Sequence, residues 1–260
     1  MKTLAIATSS FRRLGRELGY EVEMFNGRLV VYAPKWRRAL SAESQFCKAL
    51  VSNGYLTERQ MQRAVWQYRL GATKTGRVIF WQINEHEEIC EGKIMSYRPD
   101  CHRDKQHNPT WVGHLLAVRH GWGRLPSRHC FFGLHLLSRP PLAPPVGGGL
   151  KSIAVVEAEK TAVILSARYP QYIWLATGGL GEVQTDKFRA LRGHKVVMFP
   201  DTDPDGIAFR RWSEAADLVM RQPFWEDSPP IYVSPILEQR ASPEQKARKI
   251  DLVDFHYDKQ

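Results

Sequence analysis

Cysteine is scarce in this chain: four among 260 residues, Cys47, Cys90, Cys101 and Cys130. No two of them form a C-x₂-C pair. The neighbours Cys101-His102 and His129-Cys130 are poor geometry for one tetrahedral ion, so reduced structural thiols are expected and no zinc. No stretch approaches the ~18 apolar residues of a membrane span. The apolar run within residues 1–10 is too short for a secretory signal, so a cytoplasmic protein with no membrane partner is expected. No G-x-x-x-x-G-K-[ST] loop is present, which excludes a P-loop helicase motor. Acidic residues are sparse in one half only. Residues 1–150 hold about 22 Lys/Arg against 11 Asp/Glu, whereas residues 151–260 hold about 15 against 16.

Against these absences stands one dense acidic motif, Val197-Met-Phe-Pro-Asp201-Thr-Asp203-Pro-Asp205-Gly206. An apolar run ends in carboxylates at alternate positions, and a glycine closes the turn. Alternate residues of a strand share one face, so Asp201 and Asp203 are expected to project together from its C-terminal end. Open α/β sheets place their sites at that end. Close carboxylates repel unless a cation lies between them, and hard oxygen ligands suit Mg²⁺ or Mn²⁺. A calcium EF-hand is excluded: counted from Asp201, the twelfth position is Trp212 rather than glutamate. An acidic turn that caps the following helix remains an alternative.

A second motif lies upstream, Ile153-Ala-Val-Val-Glu157-Ala-Glu159-Lys160-Thr-Ala162. By itself it is equally a strand followed by acids that favour a helix N-terminus. If the two strands are neighbours, Glu157 comes close to Asp201 and Asp203.

The pattern from Lys151 onward alternates. Strands are expected at 153–156, 173–176, 195–199 and 231–234, and helices at 160–168, 185–191 and 207–221. Short apolar strands separated by helices imply parallel βαβ units with helices on both faces. Ala208, Trp212, Ala215, Ala216 and Val219 recur at helical spacing and mark a core face. Upstream, residues 138–150 form a Pro/Gly-rich linker. Residues 77–83 and 89–97 predict a hairpin around Asn84–Glu88, and 110–118 a further strand. A helix is predicted over 56–70, with Thr57 as cap, Gln60 completing a capping box and Gly71 ending it. The domain division is therefore an unassigned basic segment at 1–40 with a strand at 29–33, an α+β domain at 41–137, the linker at 138–150 and an α/β domain at 151–260.

The pair Val-Val-Glu157-Ala-Glu-Lys and Phe-Pro-Asp201-Thr-Asp203-Pro-Asp-Gly206 resembles the Toprim domain of topoisomerases and bacterial or phage primases. The Glu-x-Glu-Lys-Thr-Ala form and Trp174-Leu-Ala-Thr-Gly178-Gly179 look like primase-like Toprim proteins of phages and mobile elements. Phe131–Leu137 resembles the segment leading into that core in bacterial primases. The resemblance covers roughly residues 77–258. It implies a Rossmann-like Toprim sheet preceded by a smaller primase N-terminal-like subdomain. It also implies Glu157, Asp201 and Asp203 as catalytic residues and, with Asp205, as ligands for Mg²⁺ or Mn²⁺. Lys160, Gly178, Gly179 and Gly206 become candidate phosphate or nucleotide contacts, although Gly178-Gly179-Leu180-Gly181 alone is a weak phosphate signal. Glu159, Asp251 and Asp254 are possible accessory acids.

The activity so implied is primase-like nucleotidyl transfer on single-stranded DNA with nucleoside triphosphates, and a replicative helicase is a possible partner. A Toprim nuclease or a non-catalytic accessory protein is the alternative. The basic excess of the first half suits a polyanion. Arg119, Arg124, Arg128 and Arg139, interleaved with Trp122, Phe131 and Phe132, are candidate single-strand contacts through phosphates and base stacking.

Overall fold

The computed structural model describes residues 21–25, 28–32, 41–120, 129–138 and 151–258. The chain divides into two compact units, Met1–Cys130 and Phe131–Gln260. The expected linker, beyond Ser138, lies outside the described residues, as do Ala33 and most of the basic N-terminal segment.

The first unit opens with an antiparallel pair, β1 (Glu21–Phe25) and β2 (Arg28–Tyr32). Two helices follow, α1 (Gln45–Ser52) and α2 (Glu58–Tyr68). Ser44 caps α1 by accepting the Cys47 N–H at 3.2 Å. Thr57 and Gln60 form the expected capping box on α2. Its C-terminus differs from expectation. Arg69, not Gly71, is the left-handed cap (φ 55°). Gly71 instead starts β3 (Gly71–Ala72). The Arg69 side chain is 1% exposed and pairs with Glu87 at 2.7 Å, which fixes this residue at the helix end.

Strands β3, β4 (Val78–Ile83), β5 (Ile89–Met95) and β6 (Thr110–Trp111) form an antiparallel sheet in that order. The β4–β5 hairpin is the one the sequence predicts. Asn84 closes its turn by accepting the His86 and Glu88 N–H groups, each at 2.9 Å. Phe46 of α1 packs on Phe80 and Tyr97 with ring centroids at 5.2 and 4.7 Å, joining helix and sheet in one core.

The strand expected over 110–118 is corrected. Only Thr110–Trp111 pairs with β5, and Val112–His120 is a helix, α3. The buried Glu91 carboxylate accepts the Gly113 N–H at 2.9 Å, so it satisfies a donor in the first turn and favours the helix there.

In the second unit β7 (Ser152–Val156), β8 (Tyr172–Ala176), β9 (Val196–Phe199) and β10 (Tyr232–Val233) form a parallel sheet ordered β10-β9-β7-β8. Helix α4 (Glu159–Arg168) links β7 to β8, and α5 (Ile207–Met220) links β9 to β10. Residues 185–191 are a 3₁₀ helix. Residues 153–156 are at most 1% exposed, so helices cover both faces of β7. Ala208, Trp212, Ala216 and Val219 are the buried stripe of α5, with Ala215 half-buried beside it. Short helices α6 (Ile236–Arg240), α7 (Pro243–Arg248) and α8 (Leu252–Tyr257) complete the unit.

Phe131–Leu137, grouped by sequence with the upstream domain, belongs to this second unit. Phe132 exchanges backbone hydrogen bonds with Ala176 at 2.9 and 3.1 Å, and Phe131 packs edge-on against Phe188.

Candidate active site

Strand order decides where the acidic motifs meet. From β7 the chain crosses to β8 on one side, and from β9 it crosses to β10 on the other. Adjacent parallel strands whose connections diverge leave a crevice at their C-terminal ends. Strands β7 and β9 are those neighbours, with Val156 opposite Phe199. Glu157 follows β7 directly and Asp201 lies two residues beyond β9. A cleft of about 690 Å³ opens there, lined by Glu157, Asp201, Asp203 and Asp205 together with Arg211 and Lys249.

The carboxylates are held differently. Asp203, 8% exposed, accepts the N–H groups of Asp205 and Ile207 through Oδ1, each at 3.0 Å, and of Ala208 through Oδ2 at 2.7 Å. It thus ties the turn to the first residues of α5, which is the capping role that the sequence left open. Burial by itself would raise the Asp203 carboxyl. The N–H groups of Ala208, Ile207 and Asp205, with Lys249 nearby, outweigh burial and hold it below the usual carboxylate range. Gly206 sits between them at φ 64° as the residue before α5, a left-handed position that glycine adopts without strain.

Asp201 is shifted the other way. Burial pushes its carboxyl well above the ordinary value, and the charges of Asp251, Glu157 and Asp254 push it further, with Lys160 opposing them. Asp251 and Asp254 reach this neighbourhood because the Thr202 N–H bonds the Ile250 carbonyl at 3.0 Å. They also form a capping box on α8, and Thr161 of α4 donates its hydroxyl to Asp251. Burial, then Asp251, raises Asp254 as well. Thr202, between the two site aspartates, is tied to Glu238 of α6 at 2.8 Å.

The remaining candidates fall around this cluster. Lys160, in the first turn of α4, acts on Asp201 and Asp254. Glu159 is the first residue of α4 and 2% exposed. The Gly178 N–H bonds the Glu157 carbonyl at 3.0 Å and the Gly179 N–H bonds the Thr177 hydroxyl at 3.3 Å, so this loop braces the end of β7. Asp205 is exposed at the cleft mouth. Arg119 belongs to α3 by its backbone, while its side chain and all of Arg124, Arg128 and Arg139 lie outside the described residues. Sequence reasoning missed Arg211 and Lys249. Arg211 could have been found by its position just over one turn into the helix after the motif, whereas Lys249 carries no local signal.

Comparison with known protein families matches residues 44–202 to the family described as Domain of unknown function (DUF6371). The matched stretch runs through Glu157 and Asp201. No curated protein matches. Among solved structures, the primase fragment of the bacteriophage T7 primase-helicase protein aligns at TM-score 0.41 and 17% identity, over 72% of this chain and 63% of that one. The Aquifex aeolicus primase, solved as its zinc-binding and RNA polymerase domains, aligns at TM-score 0.39 and 13% identity, over 93% of this chain and 58% of that one. The chain therefore spans less than two thirds of the length of either.

Proposed function

The chain belongs to the family described as Domain of unknown function (DUF6371), and we propose that it catalyses divalent-metal-dependent nucleotidyl transfer on nucleic acid, in the manner of Toprim primases. The observation that carries this is the meeting of Glu157 with Asp201 and Asp203 at the switch point of a parallel sheet, in one cleft with Arg211 and Lys249. The motif resemblance adds the primase character, single-stranded DNA as template and nucleoside triphosphates as substrate.

The residues fit Mg²⁺ or Mn²⁺. The acidic lining offers only oxygen donors, which suits a hard cation. Burial, and then repulsion from three neighbouring carboxylates, disfavours the Asp201 charge, and a cation would favour it. Among the described residues no three His, Cys, Asp or Glu side chains form a ready-made metal cluster. Mg²⁺ needs none, since it is commonly held by one or two carboxylates plus water and substrate phosphates. Glu157 and Asp201 would hold it, with Asp205 at the mouth. When bound, the ion supplies neutralisation of the phosphate charge.

The chain's own residues do the rest. Asp203 fixes the turn and the start of α5, so that Asp201 is presented at a constant depth. Arg211 and Lys249 bind the phosphate chain of the incoming nucleotide. Glu157 either shares the ion or takes the proton from the attacking hydroxyl.

Incubation of the protein with single-stranded template, all NTPs and dNTPs, and Mg²⁺ or Mn²⁺ tests this. Labelled oligomers that vanish with Asp201→Asn support synthesis. Shortened template would mean a nuclease, and binding without turnover an accessory role; either overturns the proposal.

A further inference from the structure

The first unit holds a second reactive cluster, unrelated to the carboxylates. Strands β4 and β5 pair regularly from Val78↔Met95 to Gln82↔Glu91, but the next pair is Ile83↔Ile89. Cys90 is therefore the extra residue of a β-bulge. Bulges leave one residue unpaired and re-aim its side chain. The His129–Cys130 segment is fixed beside the same place. His129 Nδ1 lies 3.1 Å from Gln82 Oε1, and its ring stands edge-on to Trp111 at 4.5 Å. The thiol of the next residue, Cys130, is hydrogen-bonded to that of Cys90. Cys130 is buried and Cys90 half-buried, and neither is in a disulfide.

The two sulfurs are chemically unequal. The Cys130 hydrogen bond lowers Cys90 below the usual thiol value, against burial and the charges of Glu88 and Glu85. Half-exposed, hydrogen-bonded thiols of lowered pKa are the ones that oxidise selectively. Elsewhere the opposite holds. Burial pushes the Cys47 thiol up to about 11, and Cys101 is 1% exposed.

We propose that Cys90 and Cys130 are a peroxide-reactive dithiol that closes to an intramolecular disulfide. The Cys90 thiolate attacks one oxygen of hydrogen peroxide. The O–O bond breaks, Cys90 becomes a sulfenic acid, and the departing hydroxide takes a proton to leave as water. The Cys130 sulfur, losing its proton, then attacks the Cys90 sulfur. The S–S bond forms, the S–O bond breaks, and a second water leaves. Two thiols and one peroxide give one disulfide and two waters, with two electrons passing from sulfur to oxygen. The bulge at Cys90 and the anchoring of His129 on Gln82 hold the two thiols side by side, and closure brings them to the S–S length of about 2 Å. The product ties residue 130, the end of the first unit, to the bulge.

The test uses the reduced full-length chain and about one equivalent of hydrogen peroxide, followed by thiol titration, intact mass and peptide mapping. Two of the four thiols should be lost, the mass should fall by about 2 Da, and a dithiothreitol-reversible peptide should join Cys90 to Cys130. In Cys130→Ser, Cys90 should accumulate as a sulfenic acid trapped by dimedone, and in Cys90→Ser the fast loss should disappear. Equal slow loss of all four thiols overturns the proposal. So does a cross-link involving Cys47 or Cys101, or sulfinic acid on Cys90 in place of a cross-link in the unmutated chain. The unmutated chain decides these even if a serine variant fails to fold.

Discussion

Asp203 receives three backbone N–H groups on its two oxygens, whereas Asp201 faces three other carboxylates. Their Asn variants should therefore separate. In Asp203→Asn one oxygen becomes an NH₂ group pointing at an N–H, and the charge that strengthened the other bonds is lost. We expect a loss on the order of 2 kcal/mol in metal-free stability, read from the denaturation midpoint. Linkage agrees in sign: a depressed carboxyl stabilises above its unfolded value and loses that contribution as pH falls through its folded value. Asp201 has the reverse sign. Its raised carboxyl means that stability falls as pH rises from the unfolded value through the folded one. Asp201→Asn should stabilise the metal-free protein at pH 7, lose that advantage in acid, and abolish both turnover and stabilisation by Mg²⁺. Equal destabilisation by both substitutions would refute the division of roles. Arg211→Gln and Lys249→Gln test the phosphate contacts. Each should raise KM for nucleoside triphosphate by about tenfold, the worth of one charge-assisted hydrogen bond, with a smaller change in kcat. A fall in kcat at unchanged KM would instead place these cations at the reacting centre.

At the scale of elements, α3 exists where a strand was expected, and its start depends on Glu91 meeting Gly113. A Cβ on Gly113 would lie 2.6 Å from Glu91 Oε2, nearer than Cβ atoms come, so the carboxylate that accepts the Gly113 N–H would have to move. Gly113→Ala should cost about 1–3 kcal/mol in urea unfolding and speed amide exchange across residues 112–120 before the rest of the unit. Unchanged exchange there would mean that the start of α3 does not depend on this contact. The misplaced strand shows what sequence periodicity lacks. Trp111, Val112, Leu115 and Val118 suit either element locally, and a carboxylate twenty-odd residues away decided between them. Arg69 was hidden likewise, because Gly71 offered a better C-cap and only the distant Glu87 favours the earlier ending. The βαβ units were legible because β7, β9 and α5 carry near-continuous apolar runs or a single stripe at fixed period. The pairing of β7 with β9 was legible only as a condition. That Asp203 caps α5 while Asp201 faces other acids depends on backbone geometry beyond the strand end, where alternation no longer separates roles.

Across the whole chain, charge is distributed unlike the acidic chemistry. The carboxylate cleft belongs to the second unit, where residues 151–260 are close to electrically balanced, while the excess of Lys/Arg lies in residues 1–150. A net charge of +10 confined largely to one half favours a polyanion there, away from the acids of the cleft. Binding of single-stranded DNA and turnover should thus separate. Each phosphate neutralised on a single strand releases counterions and contributes a slope of about −0.7 to log K against log[salt]. Affinity should drop steeply from low to moderate salt, and Asp201→Asn should leave both the affinity and its slope unchanged while removing turnover. Fluorescence anisotropy with a labelled oligonucleotide, repeated over a salt series for both proteins, measures this. A flat salt dependence would show that the basic half is ordinary solvated surface. Affinity that collapses in Asp201→Asn at every salt concentration would instead place the main nucleic-acid contact at the carboxylate cleft.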